Sequence, residues 1–232
     1  MAKIIIVLGC HRSGTSMIAG VLAHMGVFMG EDLIMGEMPE NPKGYYEDRE
    51  AVAINADLLE ESDGGWDSLP TTESILETAE NIPEFGQRMA DFIAKRSESH
   101  SLWGWKDPRT VATFPAWKPY LEGHDVQLVA IRRKFATVCE SLFVREKEEM
   151  NRQDVADLVE SYLERLDIIE QTTHFPVHSV KYEEVLLSPY SHVLGLSTAI
   201  NFRPRWGGIS QAACHIDQML NRSPYLKERV MA

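Results

Sequence analysis

Basic charge, cysteine and long apolar runs are all scarce in this sequence. Lys and Arg number 23 against 35 Asp and Glu, a formal net charge of −12. There is no global basic footprint, which excludes a general nucleic-acid binder. An acidic chain still accommodates a basic pocket, so small anions remain open as ligands. The cysteines are three, Cys10, Cys139 and Cys214, without paired spacing; they fit a reducing compartment and speak against a zinc site. The eight histidines form no recognisable metal-binding motif, His174 and His178 being four apart but separated by Pro176, so no metal is expected. The N-terminal apolar run is about six residues, short of the core of a signal peptide. No stretch approaches the roughly 18 apolar residues of a membrane span. The expectation is a soluble, cytoplasmic protein with no membrane or nucleic-acid partner; the oligomeric state is left open.

What is present points to an α/β protein. The 232 residues are 44% hydrophobic and 25% charged, enough for one sizeable core, and residues 1–232 read as one domain. Lys3–Gly9 is short, β-branched and ended by glycine, the pattern of a buried parallel strand. A helix is expected from Gly14 to Met25, then an irregular loop to Gly44. Helical spacing over Glu50–Ser62 ends at Asp63-Gly64-Gly65, and Pro83 starts a helix to Ser97. Further strands are expected at Leu102–Trp105, Val126–Ile131 and Val177–Val180. Helices are expected over Phe135–Lys147, Asp154–Gln171, the segment from YEEVLLSPY, and Ile209–Leu220. This alternation predicts a three-layer, P-loop-like α/β fold with a mostly parallel central sheet flanked by helices.

The first strand runs into LGCHRSGTS. Gly9 to Ser16 keeps the glycine frame of a nucleoside-triphosphate loop, but Thr15 stands where the lysine belongs. Glycines let backbone N–H groups converge on an anion at the start of the following helix. Ser13, Thr15 and Ser16 add hydroxyls, and Arg12 adds a planar fork suited to an oxyanion. The third strand runs into Arg132-Arg133 instead of the acid that helps hold Mg²⁺ in P-loop kinases. Metal-dependent triphosphate chemistry is therefore poorly supported, and a donor whose transferred group carries less charge suits the loop better.

RSGTS after a first strand resembles the 5′-phosphosulfate loop of sulfotransferases that use 3′-phosphoadenosine 5′-phosphosulfate (PAPS). The resemblance extends over most of the chain. NPKGYYED (41–48), WKDPR (105–109), the spacing of Arg133 and Ser141 after the third strand, and VKYEEVLLSP (180–189) are each similar to segments of the bacterial-type members. The resemblance implies that Arg12, Ser13, Gly14, Thr15 and Ser16 hold the sulfate-phosphate end of PAPS, with Arg12 also steadying the transferred sulfonate. It places Arg133 and Ser141 on the 3′-phosphate. Eight residues of helix rise ~12 Å and return to nearly the same face, so a long arginine and a serine at that spacing can share one phosphate. Arg132 is the adjacent competitor, and Arg222 near the C-terminus is a further candidate for the same phosphate. The product would be 3′-phosphoadenosine 5′-phosphate, without a metal.

Sulfuryl transfer needs a base for the acceptor and cations on the sulfonate and leaving phosphate. The hormone and phenol enzymes of the family use a histidine two residues after a strand-end lysine, and Pro108 occupies that place here. The Lys106-Asp107-Pro108 string resembles the tyrosylprotein and carbohydrate branches, whose base is a glutamate after the first helix. That makes Glu47 the base and Lys106 the stabiliser of the bridging oxygen. Asp107 is the rival base unless it simply pairs with Arg109; Glu47 is alternatively a helix-start acid alongside Asp48 and Glu50, or a substrate contact. His11 is either a backbone contact to ligand or a packing residue. The five tryptophans read as core or sheet-edge packing, with one of them possible in the acceptor pocket. The acceptor would be a small-molecule, carbohydrate or peptide hydroxyl or amine. Regions 27–46 and 63–100 are expected to shape its pocket, and their acidic balance disfavours highly sulfated glycans. A P-loop kinase and a nucleotide-binding protein without activity are the other readings.

Overall fold

The computed structural model describes residues 2–34, 41 and 43–216. Its centre is a four-stranded sheet of β1 (Lys3–Leu8), β2 (Leu102–Lys106), β3 (Asp125–Arg132) and β4 (Val177–Lys181), in the order β2-β1-β3-β4. All three pairings are parallel, with Ile5 opposite Gly104 and Gln127, and Ala130 opposite Ser179.

β1 has an almost unbroken run of branched apolar residues because both its faces are buried. Ile4, Ile6 and Leu8 point into one core and Ile5 and Val7 into the other. The first core is covered by α2 (Arg49–Glu61), α3 (Thr72–Asn81), α4 (Pro83–Ser99), α5 (Thr110–Leu121), α6 (Phe135–Glu146) and α7 (Arg152–Thr172). It holds an aromatic cluster in which Phe92 meets Trp103, Trp105 and Trp117 edge-on, at centroid distances of 5.5–5.7 Å. The second core lies under α1 (Thr15–Met25), α8 (Tyr182–Leu187), α9 (Pro189–Ala199) and α10 (Gly208–His215). Helices on both faces of a parallel sheet make the expected three layers.

Three helices depart from the sequence expectation. α5 contains Pro115 and Pro119, and proline inside a helix normally breaks it. Here Val111, Phe114, Trp117 and Leu121 recur at helical spacing and are all buried, so tertiary packing outweighs the lost hydrogen bonds. α3 was also not expected; Thr71 caps it by accepting from Ser74 N at 3.1 Å, and only Ile75 is buried. The segment after β4 is two helices, because Pro189 starts a new one after Ser188. The last helix begins at Gly208 and ends at His215. Residues 217–220 of its expected span, and Arg222, lie outside the described residues.

Candidate active site

The carboxyl ends of β1, β2 and β3 open into a cleft of about 470 Å³. The chain passes from β1 to β2 on one side, then to β3 on the other. Such a reversal of strand order is where open α/β sheets bind ligands.

The loop after β1 shapes the floor. Arg12 and Gly14 both have left-handed backbone, with φ of 64° and 101°. Gly14 has no alternative, since a Cβ there would lie 2.4 Å from the ring of Tyr182. Arg12 tolerates the conformation at a cost of roughly 1–2 kcal/mol. The first α1 hydrogen bond runs from Ile18 N to Gly14 O at 3.2 Å. The N–H groups of Thr15, Ser16 and Met17 are thus left at the helix start, where its dipole is positive, and all three residues line the cleft. Ser13 departs from the expectation of a hydroxyl donor. Its N–H and hydroxyl both go to the Cys10 carbonyl, at 3.2 and 2.6 Å, and the residue is buried away from the cleft. It braces the turn.

Arg133 and Ser141 converge on Arg12. Arg133 Nη1 donates to the Arg12 carbonyl at 2.9 Å, and Arg12 Nε donates to Ser141 Oγ at 3.0 Å. The Arg133 guanidinium stacks over Tyr182, 4.4 Å from the ring centroid, and burial pulls its pKa down. Arg132, its neighbour, is turned to α7, where it donates to Asp167 and Glu170 at 2.6 and 2.8 Å.

At the end of β2, the ammonium of Lys106 pairs with the Glu47 carboxylate and donates to Ser16 Oγ at 3.3 Å. The lysine is 1% exposed, and desolvation lowers its pKa against the opposing pull of Glu47 and Asp107. Glu47 is held there by its neighbour. Asp48 caps α2 by accepting from Glu50 N at 2.9 Å, accepts from Glu31 N at 3.1 Å, and pairs with buried Arg96 at 2.8 Å. Glu47 is thus outside the helix, one residue before its cap, and faces the cleft.

Asp107 has a different environment. It is fully buried, absent from the cleft wall, and accepts from Arg109 N at 3.1 Å, Arg109 Nη1 at 2.9 Å and Asn55 Nδ2 at 2.9 Å. Asn55 Oδ1 in turn accepts from Thr113 Oγ1 and Trp117 Nε1, at 2.7 and 2.8 Å. The network orients Arg109.

Several residues enter the site without having been singled out for it. Among the described residues six cations line the cleft, Arg12, Lys43, Lys106, Arg109, Arg133 and Arg145, against two carboxylates, Glu47 and Glu146. The excess stands against a chain total of −12. Arg145 lies four residues after Ser141 on α6, the spacing that puts two side chains on one helix face. Trp66 is the tryptophan of the cleft; Trp103, Trp105 and Trp117 are core residues, and Trp206 is exposed. Regions 27–46 and 63–100 contribute Ile34, Asn41, Lys43, Gly44, Tyr45 and Trp66 among the described residues. None of these described lining residues is acidic. Among the described residues no helix is long and apolar enough to cross a membrane, and no group of three or more His, Cys, Asp or Glu is placed to hold a metal ion.

No protein-family model matches the chain, and no curated protein matches it. Solved structures do. A sulfotransferase of Mycobacterium tuberculosis H37Rv superposes with a TM-score of 0.54 at 13% identity, over 95% of this chain and 73% of its own. The sulfotransferase domain of the curacin biosynthetic pathway gives 0.56 at 13%, over 95% and 89%. That of the Synechococcus PCC 7002 olefin synthase gives 0.55 at 14%, over 97% and 82%. At this identity the likeness speaks for the fold, and the fold of this chain is that of the sulfotransferases.

Proposed function

We propose that this protein transfers a sulfuryl group from PAPS to a hydroxyl or amine acceptor, without a metal. The observation that carries the reading is the contact chain Ser16–Lys106–Glu47, which joins the anion-binding loop to a carboxylate through one buried cation. The cleft suits the donor: it offers backbone N–H groups at a helix start, an excess of cations, and a loop closed so tightly that a Cβ on Gly14 has no room.

Arg12, Gly14, Thr15 and Ser16 hold the 5′ phosphate-sulfate end, and Arg133 with Ser141 holds the 3′-phosphate. PAPS supplies an activated sulfuryl group. Glu47 takes the acceptor proton as the acceptor oxygen or nitrogen bonds to sulfur. The bond from sulfur to the bridging oxygen breaks, its electrons stay on the leaving phosphate, and Lys106 neutralises the charge gained there. Lys106 lies between the two reacting ends, so one ammonium orients the base and serves the leaving group. Arg12 holds the sulfonate in line.

Thermal unfolding with added ligand tests the donor. The product 3′-phosphoadenosine 5′-phosphate should stabilise the protein well beyond ATP with Mg²⁺; an affinity ratio of about tenfold corresponds to about 1.4 kcal/mol. Equal or greater stabilisation by ATP with Mg²⁺ would return the site to the kinase reading.

A further inference from the structure

One corner of the cleft has no role in the transfer so far described. His11, Trp66, Arg109 and Arg145 line it together. Arg145 lies over the Trp66 ring at 5.1 Å, and Trp66 packs on His11 with ring centroids 4.9 Å apart. Tyr162 closes the back, edge-on to His11 at 5.5 Å, and donates its hydroxyl to the Trp66 carbonyl at 2.9 Å.

Each arginine is fixed by a carboxylate on one edge. Arg109 Nη1 is held by Asp107, and Arg145 Nε by Glu146. The other guanidinium N–H groups of both have no hydrogen-bond partner among the described residues. A guanidinium clamped on one edge and open on the other is a pre-oriented fork for an oxyanion. His11 adds a second observation. Its Nε2 is buried and unpartnered, and such an atom costs free energy unless a ligand meets it. Desolvation, reinforced by Arg109, Arg145, Lys106 and Arg12, holds the imidazole pKa well below its ordinary value. His11 therefore stays neutral among four cations, adding no charge of its own.

We infer, on the basis of the transfer reading, that Arg109 and Arg145 bind an oxyanion carried by the acceptor. The acceptor is then a hydroxyl or amine compound bearing a carboxylate or a phosphate, and His11 and Trp66 form the surface between its anion and the Lys106–Glu47 pair. The donor's two anionic ends already have partners in the 12–16 loop and in Arg133 with Ser141. Arg109 is three residues after Lys106 and close enough to Glu47 to feel its charge, on the side of the base.

Calorimetric titration of the protein saturated with 3′-phosphoadenosine 5′-phosphate reads this without turnover. 4-Hydroxyphenylacetate should bind about tenfold or more tightly than its uncharged amide, 4-hydroxyphenylacetamide. Arg145→Gln and Arg109→Gln should each bring the two affinities together while leaving the bisphosphate affinity within about twofold. Arg109 also holds Asp107 in the core, so Arg145→Gln carries the test if Arg109→Gln does not fold. Equal affinities in the parent protein, or no measurable binding of either probe, overturn the inference. So does a loss of bisphosphate binding in Arg145→Gln, which would assign that arginine to the donor. If the bisphosphate does not bind the parent protein, the transfer reading fails. The same probe pair in bisphosphate-free protein then judges the arginine pair alone.

Discussion

Glu47 and Asp107 differ in what already surrounds each of them. Three protein donors converge on Asp107 in the core, whereas Glu47 faces the cleft and meets Lys106. Glu47→Gln should therefore keep the affinity for 3′-phosphoadenosine 5′-phosphate and lose ~10²–10⁴-fold in turnover, the range for loss of a general base. Steady-state kinetics beside equilibrium binding checks both halves. Asp107→Ala removes one partner of a buried pair and should cost on the order of 3 kcal/mol of stability, seen as a lower denaturation midpoint. If instead Asp107→Ala folds with unchanged stability and has no turnover, Asp107 is the base. Lys106 gives a pH signature. In the proposed transfer its protonated form serves the leaving oxygen, and burial has lowered its pKa from 10.5. Turnover should thus fall on the alkaline side below the ordinary lysine range. Lys106→Arg, if active, should move that limb upward; a limb unmoved by the exchange would assign it to another group.

At the scale of the element, the proposed anion sites fall at the joint between β1 and α1 and at the start of α6. Gly14→Ala meets a positive φ and the Tyr182 ring together. It should cost roughly 1–3 kcal/mol by overpacking alone and weaken the bisphosphate; calorimetric unfolding with and without ligand separates the two losses. Arg133→Ala and Ser141→Ala should weaken ligands that carry a 3′-phosphate far more than those without it. Equal losses for both ligand classes would remove the two residues from that site. β1, its loop and α1 were legible because each has a local cause: branched apolar residues, then glycine, then helical spacing. α5 was not, because its two prolines are poor local helix formers and only the core it fills makes it a helix. Ser13 shows the same limit within a motif. Its side-chain chemistry was readable, but its direction was set by the turn that sends its hydroxyl to Cys10.

At the scale of the whole molecule, α10 and the end of α1 meet at one wall of the cleft. Lys43, on the cleft wall, donates to the His215 carbonyl at 2.6 Å, and the His215 ring lies 4.8 Å from that of His24. Burial, with His24 and Lys43 nearby, lowers the His215 pKa from 6.5 to about 4. The unfolded chain then binds a proton between those values that the folded chain does not. The stability held above pH 6.5 should therefore decline as pH falls toward 4. Denaturant titrations across that window should show the slope, and His215→Gln should flatten it; an unchanged slope would assign it to other groups.

The sequence by itself determined the alternation of strands and helices, the glycine-framed loop after the first strand and the strand-end lysine, because these depend on neighbours close in the chain. Tertiary structure decided which chemistry-bearing residues share a wall. Arg109, Arg145, His11 and Trp66 come from four separate segments, and no local pattern links them. It also separated Glu47 from Asp107 and Arg133 from Arg132, since a side chain's role depends on the partners that reach it. Most decisively, it gathered a few of 23 cations into one cleft of a chain with 35 acids, which the net charge, an average over the whole surface, conceals.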